Sequence, residues 1–265
     1  MSNRIDTTFA QLKAEGKSAF VAYVCAGDPD LPRSLEIVRA IADAGADVIE
    51  LGVPFSDPLA DGVVNQLAAD RALKAGATLP KVIEMIREFR TTHETPIVLF
   101  TYLNPVYAYG FEKFHADAAA AGADGILALD LPPDEQARNA ELTSQHELKR
   151  ITLIAPTTPS ERKAHLAAQS EGFIYALSRS GVTGAQAAPS AAIGEIVAEI
   201  KQATDTPVCV GFGINTPDQV AMVASVSDGV VVGSAIVNQV AENADSDDLV
   251  AKVKAFVTPL IQAAK

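Results

Sequence analysis

Cysteine is scarce in this chain: two among 265 residues, Cys25 and Cys209, each inside an apolar run. No disulfide framework is expected, and the pair reads as two reduced core thiols. No stretch approaches the ~20 apolar residues that a membrane span requires. The N-terminal MSNRIDTTFAQLKAEGKSAF also lacks the apolar core of a signal peptide. The expectation is a cytoplasmic protein with no membrane partner. Basic residues are in deficit as well: 21 Lys and Arg against 33 Asp and Glu give a net charge of −12. That argues against nucleic acid, whose phosphates call for a basic face. It leaves a phosphorylated small molecule open, because backbone amides can hold phosphate without a side-chain cation. The four histidines, His93, His115, His146 and His165, fall in helical or pre-strand segments, so no metal site is expected. The lysines fall in helix-patterned or polar segments, which leaves a Schiff-base mechanism without a candidate.

What the chain does have is a regular alternation. Eight short β-rich runs stand out: Phe20–Cys25, Asp47–Gly52, Pro96–Tyr102, Gly125–Asp130, Ile151–Pro156, Phe173–Ser178, Pro207–Gly213 and Asp228–Ser234. Most are continuously apolar, as parallel strands covered on both faces are. Helix-period segments lie between them. Leu35, Val38 and Ile41 mark one, with Ser34 a candidate N-cap, and Leu249, Val253 and Phe256 mark a last one before Pro259. The phrase AGAD precedes two runs, at Ala44–Asp47 and Ala121–Asp124, and SVSDG holds the same place before the eighth. A glycine there can end a helix and an acid can lead into a strand. The pattern predicts an α/β fold, a (β/α)8 TIM barrel forming a single domain over residues 1–265. A doubly wound open sheet is the alternative.

In such a barrel the functional groups gather at the C-terminal strand ends. The second run offers Glu50, with Asp57 and Asp61 in the loop LGVPFSDPLADG that follows. The fourth ends at Asp130, and the sixth holds Tyr175 before SRSGVTG. The seventh and eighth end in Gly211–Gly213 and Gly233–Ser234, the ordinal positions where these barrels hold phosphate. With neither lysine nor metal ligands at the mouth, any bond breaking falls to carboxylates acting as general acid and base. The competing structural readings are an ion pair for Glu50, turn chemistry for Asp57 and Asp61, and a lumen-lining aromatic for Tyr175.

These segments also carry a resemblance. LGVPFSDPLADG after a strand-end Glu, YLNPVYAYG (Tyr102–Gly110), DLPPDE (Asp130–Glu135), SRSGVTG (Ser178–Gly184), VGFGI (Val210–Ile214) and VVGSAIV (Val231–Val237) resemble, in order and across nearly the whole chain, the tryptophan synthase alpha subunit family. The resemblance implies a metal-free retro-aldol cleavage of indole-3-glycerol phosphate to indole and glyceraldehyde 3-phosphate. It implies Glu50 as proton carrier, Asp61 as acceptor of the indole N–H and Tyr175 in support. Tyr23, Phe100, Tyr102 and Leu127 would line the substrate. Gly184, Gly213, Gly233 and Ser234 would hold its phosphate end, Thr183, Gly211 and Phe212 would also bind the substrate, and Thr183 would bond Asp57 on closure. Asp57, Pro58, Asn104 and Pro132 would belong to the closing loop and the surface meeting a beta subunit, as an alpha2-beta2 heterotetramer. No cofactor is implied in this chain; pyridoxal phosphate is expected in that partner. A free-standing indole-3-glycerol phosphate lyase, a scaffold subunit without chemistry and a barrel for another sugar phosphate are the other readings.

One segment departs from the family pattern. After ADG the family usually has Pro, an apolar pair and Gln, whereas Val63, Val64 and Asn65 precede Gln66 here. The missing proline should leave the next helix start less fixed. Asn65 should weaken packing on the indole ring unless it turns away, in which case Asn65→Ile would not lower KM.

Overall fold

The computed structural model describes residues 3–178, 189–211 and 213–265. Its strands are β1 (Ala19–Cys25), β2 (Val48–Gly52), β3 (Ile97–Thr101), β4 (Gly125–Ala128), β5 (Lys149–Arg150), β6 (Thr152–Ile154), β7 (Ile174–Leu177), β8 (Val208–Gly211) and β9 (Gly229–Val232). All pairings are parallel, in the order β5-β4-β3-β2-β1-β9-β8-β7-β6. The two ends of that order are halves of one run. β5 pairs with β4 and β6 pairs with β7, and between them the Ile151 amide donates to the Ile126 carbonyl at 3.0 Å. Nine strands therefore stand where eight runs are expected, because the fifth run changes neighbour at Ile151. That change closes the cylinder and sets aside the open sheet.

Two helix boundaries differ from the sequence reading. The helix Leu31–Asp43 is capped by Asp30, whose side chain accepts the Arg33 N–H, and not by Ser34. Ser34 lies a turn inside and its Oγ accepts from the Gly27 amide at 2.9 Å. The last helix runs Leu249–Ala263, straight through Pro259. Leu260 and Ile261 are buried there and continue the apolar stripe beyond the proline, so tertiary packing overrides a local breaker.

The acid that precedes a strand has a defined task. Asp47 accepts the Phe20 amide at 2.6 Å, Asp124 accepts Ile97 at 2.8 Å and Asp228 accepts Val208 at 2.7 Å. Each ties the start of the preceding strand to the next one, and each meets a cation: Lys265, Arg90 with Arg4, and Lys201. The Asp124–Arg90 pair, at 2.6 Å, is the most deeply buried of these. Burial pushes the Asp124 carboxyl up and the Arg90 guanidinium down, so each is tolerated only because the other is present. Asp124→Ala should lower the unfolding free energy by about 3–5 kcal/mol in urea titration. A loss below ~1 kcal/mol would reduce this cluster to a surface pair.

The core has two layers. One packs the strands against the surrounding helices and contains Phe20, Phe89, Ile49 and Ile236. The other fills the barrel, with Val21, Val48, Val98, Leu127 and Phe173 inside it. The helix Arg4–Glu15 contributes Ile5, Phe9 and Leu12 to this inner layer, and Phe9 lies 5.6 Å from Phe173 between ring centroids. One end of the barrel is thereby plugged, and the chemistry is confined to the other.

Candidate active site

Glu50 lies in β2 with its side chain completely buried. In the β1–β2 register it sits beside Tyr23, so both project into the lumen. Neither Glu50 oxygen has a hydrogen-bond partner, and neither reaches solvent. Burial alone pushes its carboxyl up to about 8. Among the described residues no cation compensates this acid, which sets the ion-pair reading aside there, and it stays protonated at neutral pH, able to give a proton.

Two tyrosines reach the same lumen because glycines leave room for them. A Cβ on Gly52 would lie 2.5 Å from the Tyr23 hydroxyl, and one on Gly211 would lie 2.9 Å from that of Tyr175. Tyr23 meets Phe100 edge-to-face at 5.0 Å. Glu50 is an electrostatic neighbour of both phenols, and burial holds each far above its usual range. They remain neutral donors.

Asp61 is held in place from several sides. The Tyr102 hydroxyl donates to its Oδ2 at 2.9 Å and accepts the Ala60 amide at 3.0 Å. The Asn65 side chain also hydrogen-bonds the carboxylate, and Gln66 Nε2 donates to the Asp61 carbonyl at 2.8 Å. Phe55 packs on Tyr102 at 5.4 Å. Burial raises Asp61, and the Tyr102 and Asn65 bonds oppose that rise. The helix that follows, Val63–Lys74, starts on Gly62 with no side-chain cap. Asn65 and Gln66 in its first turn reach back to Asp61, a connection sequence reasoning missed. Phe55 and Gly52 were missed too; a glycine closing a strand beside an aromatic one was the available signal.

Other expected positions divide. Gly213, at φ 73°, lines a groove with Asn215, Ser234 and Asn238, and Gly233 precedes the helix Ser234–Glu242. Strand end and helix start thus meet where phosphate was expected, and in that first turn the Ile236 and Val237 amides donate to the Gly233 carbonyl at 2.8 and 3.1 Å. Leu127 is buried in the inner layer. Thr183, Gly184 and Phe212 lie outside the described residues. Asp130 accepts the Leu103 amide at 2.7 Å and so anchors the helix Leu103–Tyr109. Asp57, Asn104 and Pro132 are exposed and Pro58 is partly so. Near them four apolar side chains also face solvent: Leu59, Val63, Leu67 and Tyr107. Away from the mouth, His115 is bonded to Asn139 and to the Phe111 carbonyl, and Lys149 pairs with Asp6 on the plugging helix. Among the described residues no group of three His, Cys, Asp or Glu is placed to hold a metal ion, and no helix is long and apolar enough to cross a membrane.

Fold and site together define a (β/α)8 barrel whose open end carries a buried carboxyl on strand two and a second one in the loop that follows. Comparison with known proteins sharpens this. The family model for the tryptophan synthase alpha chain matches residues 9–265. Tryptophan synthase alpha chains of Desulfatibacillum aliphaticivorans and Geobacter sulfurreducens are each 48% identical over 261 residues, 98% of this chain and of theirs. Among solved structures, tryptophan synthase subunit alpha from Legionella pneumophila superposes with a TM-score of 0.90 at 37% identity, covering 100% of this chain and 99% of that one. The aminoacrylate-bound tryptophan synthase from M. tuberculosis gives 0.89 at 33%, with 100% of both chains covered. The chain belongs to the tryptophan synthase alpha chain family. It is a lyase of tryptophan biosynthesis that cleaves indole-3-glycerol phosphate.

Proposed function

We propose that the cleavage runs on Glu50 and Asp61, with residues 1–265 working as one barrel domain. The observation that carries this assignment is the unpartnered, fully buried Glu50 carboxyl, pushed up to about 8, with Tyr23 an electrostatic neighbour both of it and of the Asp61 carboxylate. Glu50 gives its proton to indole C3, and positive charge develops on the ring. Asp61 accepts the ring N–H and stabilises that charge. The hydroxyl on the carbon joined to C3 then loses its proton to Glu50, directly or through Tyr175. The C–C bond breaks, its electron pair returns to the ring, and indole and glyceraldehyde 3-phosphate result. Tyr23, Phe100, Tyr102 and Leu127 line the ring pocket. The phosphate lies against Gly184, Gly213, Gly233 and Ser234, and Gly211 and Phe212 also bind the substrate.

The loop from Asp57 and Pro58, with Asn104 and Pro132, meets a beta subunit in an alpha2-beta2 assembly in the cytoplasm. Thr183 bonds Asp57 as the loops close. Pyridoxal phosphate belongs to the partner, and this chain takes no cofactor. The exposed Leu59, Val63, Leu67 and Tyr107 support a docking surface there, since neighbouring apolar side chains in water favour a partner. Leu67→Glu should weaken the complex about tenfold or more by titration calorimetry and leave the isolated chain's melting temperature unchanged; equal affinity would place the interface elsewhere.

The deciding experiment is indole release from indole-3-glycerol phosphate by the purified chain, alone and with a cognate beta subunit. Slow release that rises strongly with the partner supports the subunit reading. Fast release indifferent to the partner would make the chain a free-standing lyase. No release in either condition would remove the assignment.

A further inference from the structure

Buried polar atoms without partners are rare in folded proteins and call for an explanation. Among the described residues four buried side-chain atoms lack one: Arg39 Nε, both oxygens of Glu50, and Asn65 Oδ1. Three of the four therefore belong to the barrel mouth. For Glu50 the explanation is chemistry. Asn65 presents the same condition on the neighbouring element, where its side chain also bonds the Asp61 carboxylate. The Asn65 side chain acts on Asp61 as a donor that opposes its rise in pKa, while its Oδ1 is screened from water and has no partner among the described residues. An amide serving only to brace Asp61 gains nothing from an unsatisfied acceptor. An acceptor reserved for a ligand donor accounts for it.

We propose that Asn65 is a positioning and specificity residue of the site: its NH2 aims the Asp61 carboxylate, and its carbonyl oxygen is a second acceptor for the N–H of the bound indole ring. The inference rests on the cleavage assigned above. The expectation from sequence is that Asn65 weakens packing on the ring unless it turns away; its influence on the Asp61 carboxylate favours the second branch. The pairing suits the reaction. Ring N–H acidity rises as C3 is protonated, so two acceptors hold the ring more tightly then than in the ground state.

The titratable groups around Asp61 are Tyr23 and Cys25 on β1 and Tyr102 after β3, with Glu50 reached through Tyr23 and Asp130 through Tyr102. Asn65 is the neutral donor whose removal changes none of these charges. Wild type and Asn65→Ile are compared for affinity toward indole-3-propanol phosphate and toward its benzothiophene counterpart, in which sulfur replaces N–H. The wild type should prefer the indole ligand, and Asn65→Ile should cut that preference about tenfold. The acid limb of kcat/KM should also move up in pH, because Asp61 loses a donor to its ionised form. An unchanged preference, an unmoved acid limb, or a lowered KM in Asn65→Ile each overturns the proposal. Asn65→Ser repeats the comparison should the isoleucine variant fail to fold. A wild type that cleaves normally alongside an unaltered preference removes Asn65 alone. A wild type that neither cleaves indole-3-glycerol phosphate nor binds the indole ligand removes the catalytic assignment and this one with it.

Discussion

Glu50→Gln should lower turnover of indole-3-glycerol phosphate by roughly 10³-fold or more, the range lost when a general acid is removed, while substrate affinity is kept. Glutamine fills the same space and cannot move a proton. The variant should also be more stable than the wild type at high pH. The Glu50 carboxyl is raised from 4.5 to about 8 on folding, so the native state holds a proton that the unfolded chain releases. Its contribution is fully present below pH 4.5, declines as pH rises from there, and is lost above about 8. The gap between the two proteins should therefore be near zero at pH 4 and on the order of a few kcal/mol at pH 9. Urea titrations at the two pH values read it directly. A variant that keeps turnover within tenfold of wild type takes the acid–base role away from Glu50. A stability gap that does not change with pH would mean that this carboxyl ionises normally in the folded protein.

Asp61→Asn should cost 10²–10³-fold in kcat, as removal of a preorganised charge stabiliser does. The fold should survive, because Tyr102 can still donate to the amide oxygen and Gln66 still holds the Asp61 backbone carbonyl. The ring N–H, however, then meets a neutral acceptor as positive charge develops. Single-turnover kinetics separate this from a loop defect: the chemical step slows while substrate binding stays within a few-fold. Should kcat fall by less than fivefold, Asp61 is a turn residue and the developing charge is stabilised elsewhere.

Much of this site was legible beforehand, for reasons tied to particular residues. Glu50 was visible because an acid at the end of an apolar run has few inexpensive explanations. The glycine-bearing ends at Gly211–Gly213 and Gly233–Ser234 were visible by ordinal position. The roles of Asn65, Gln66 and Tyr102 around Asp61 were not, since they bring together a loop, a helix start and the residue after β3, up to 41 positions apart. No local pattern records such a meeting. The partner of Asp130 was hidden for the same reason: nothing local to this strand-end acid records the Leu103 amide that it accepts.

Periodicity and punctuation are local properties, and by themselves they determined the alternation of strands and helices and the α/β class, while the family was legible only through its motifs. Closure was decided only in three dimensions, by the fifth run changing neighbours at Ile151. So was the passage of the last helix through Pro259, where packing outweighs propensity. The acidity of Glu50 was decided there as well. Whether a carboxyl is paired or alone depends on what surrounds it, and the residues around this one come from strands that only the closed barrel brings together.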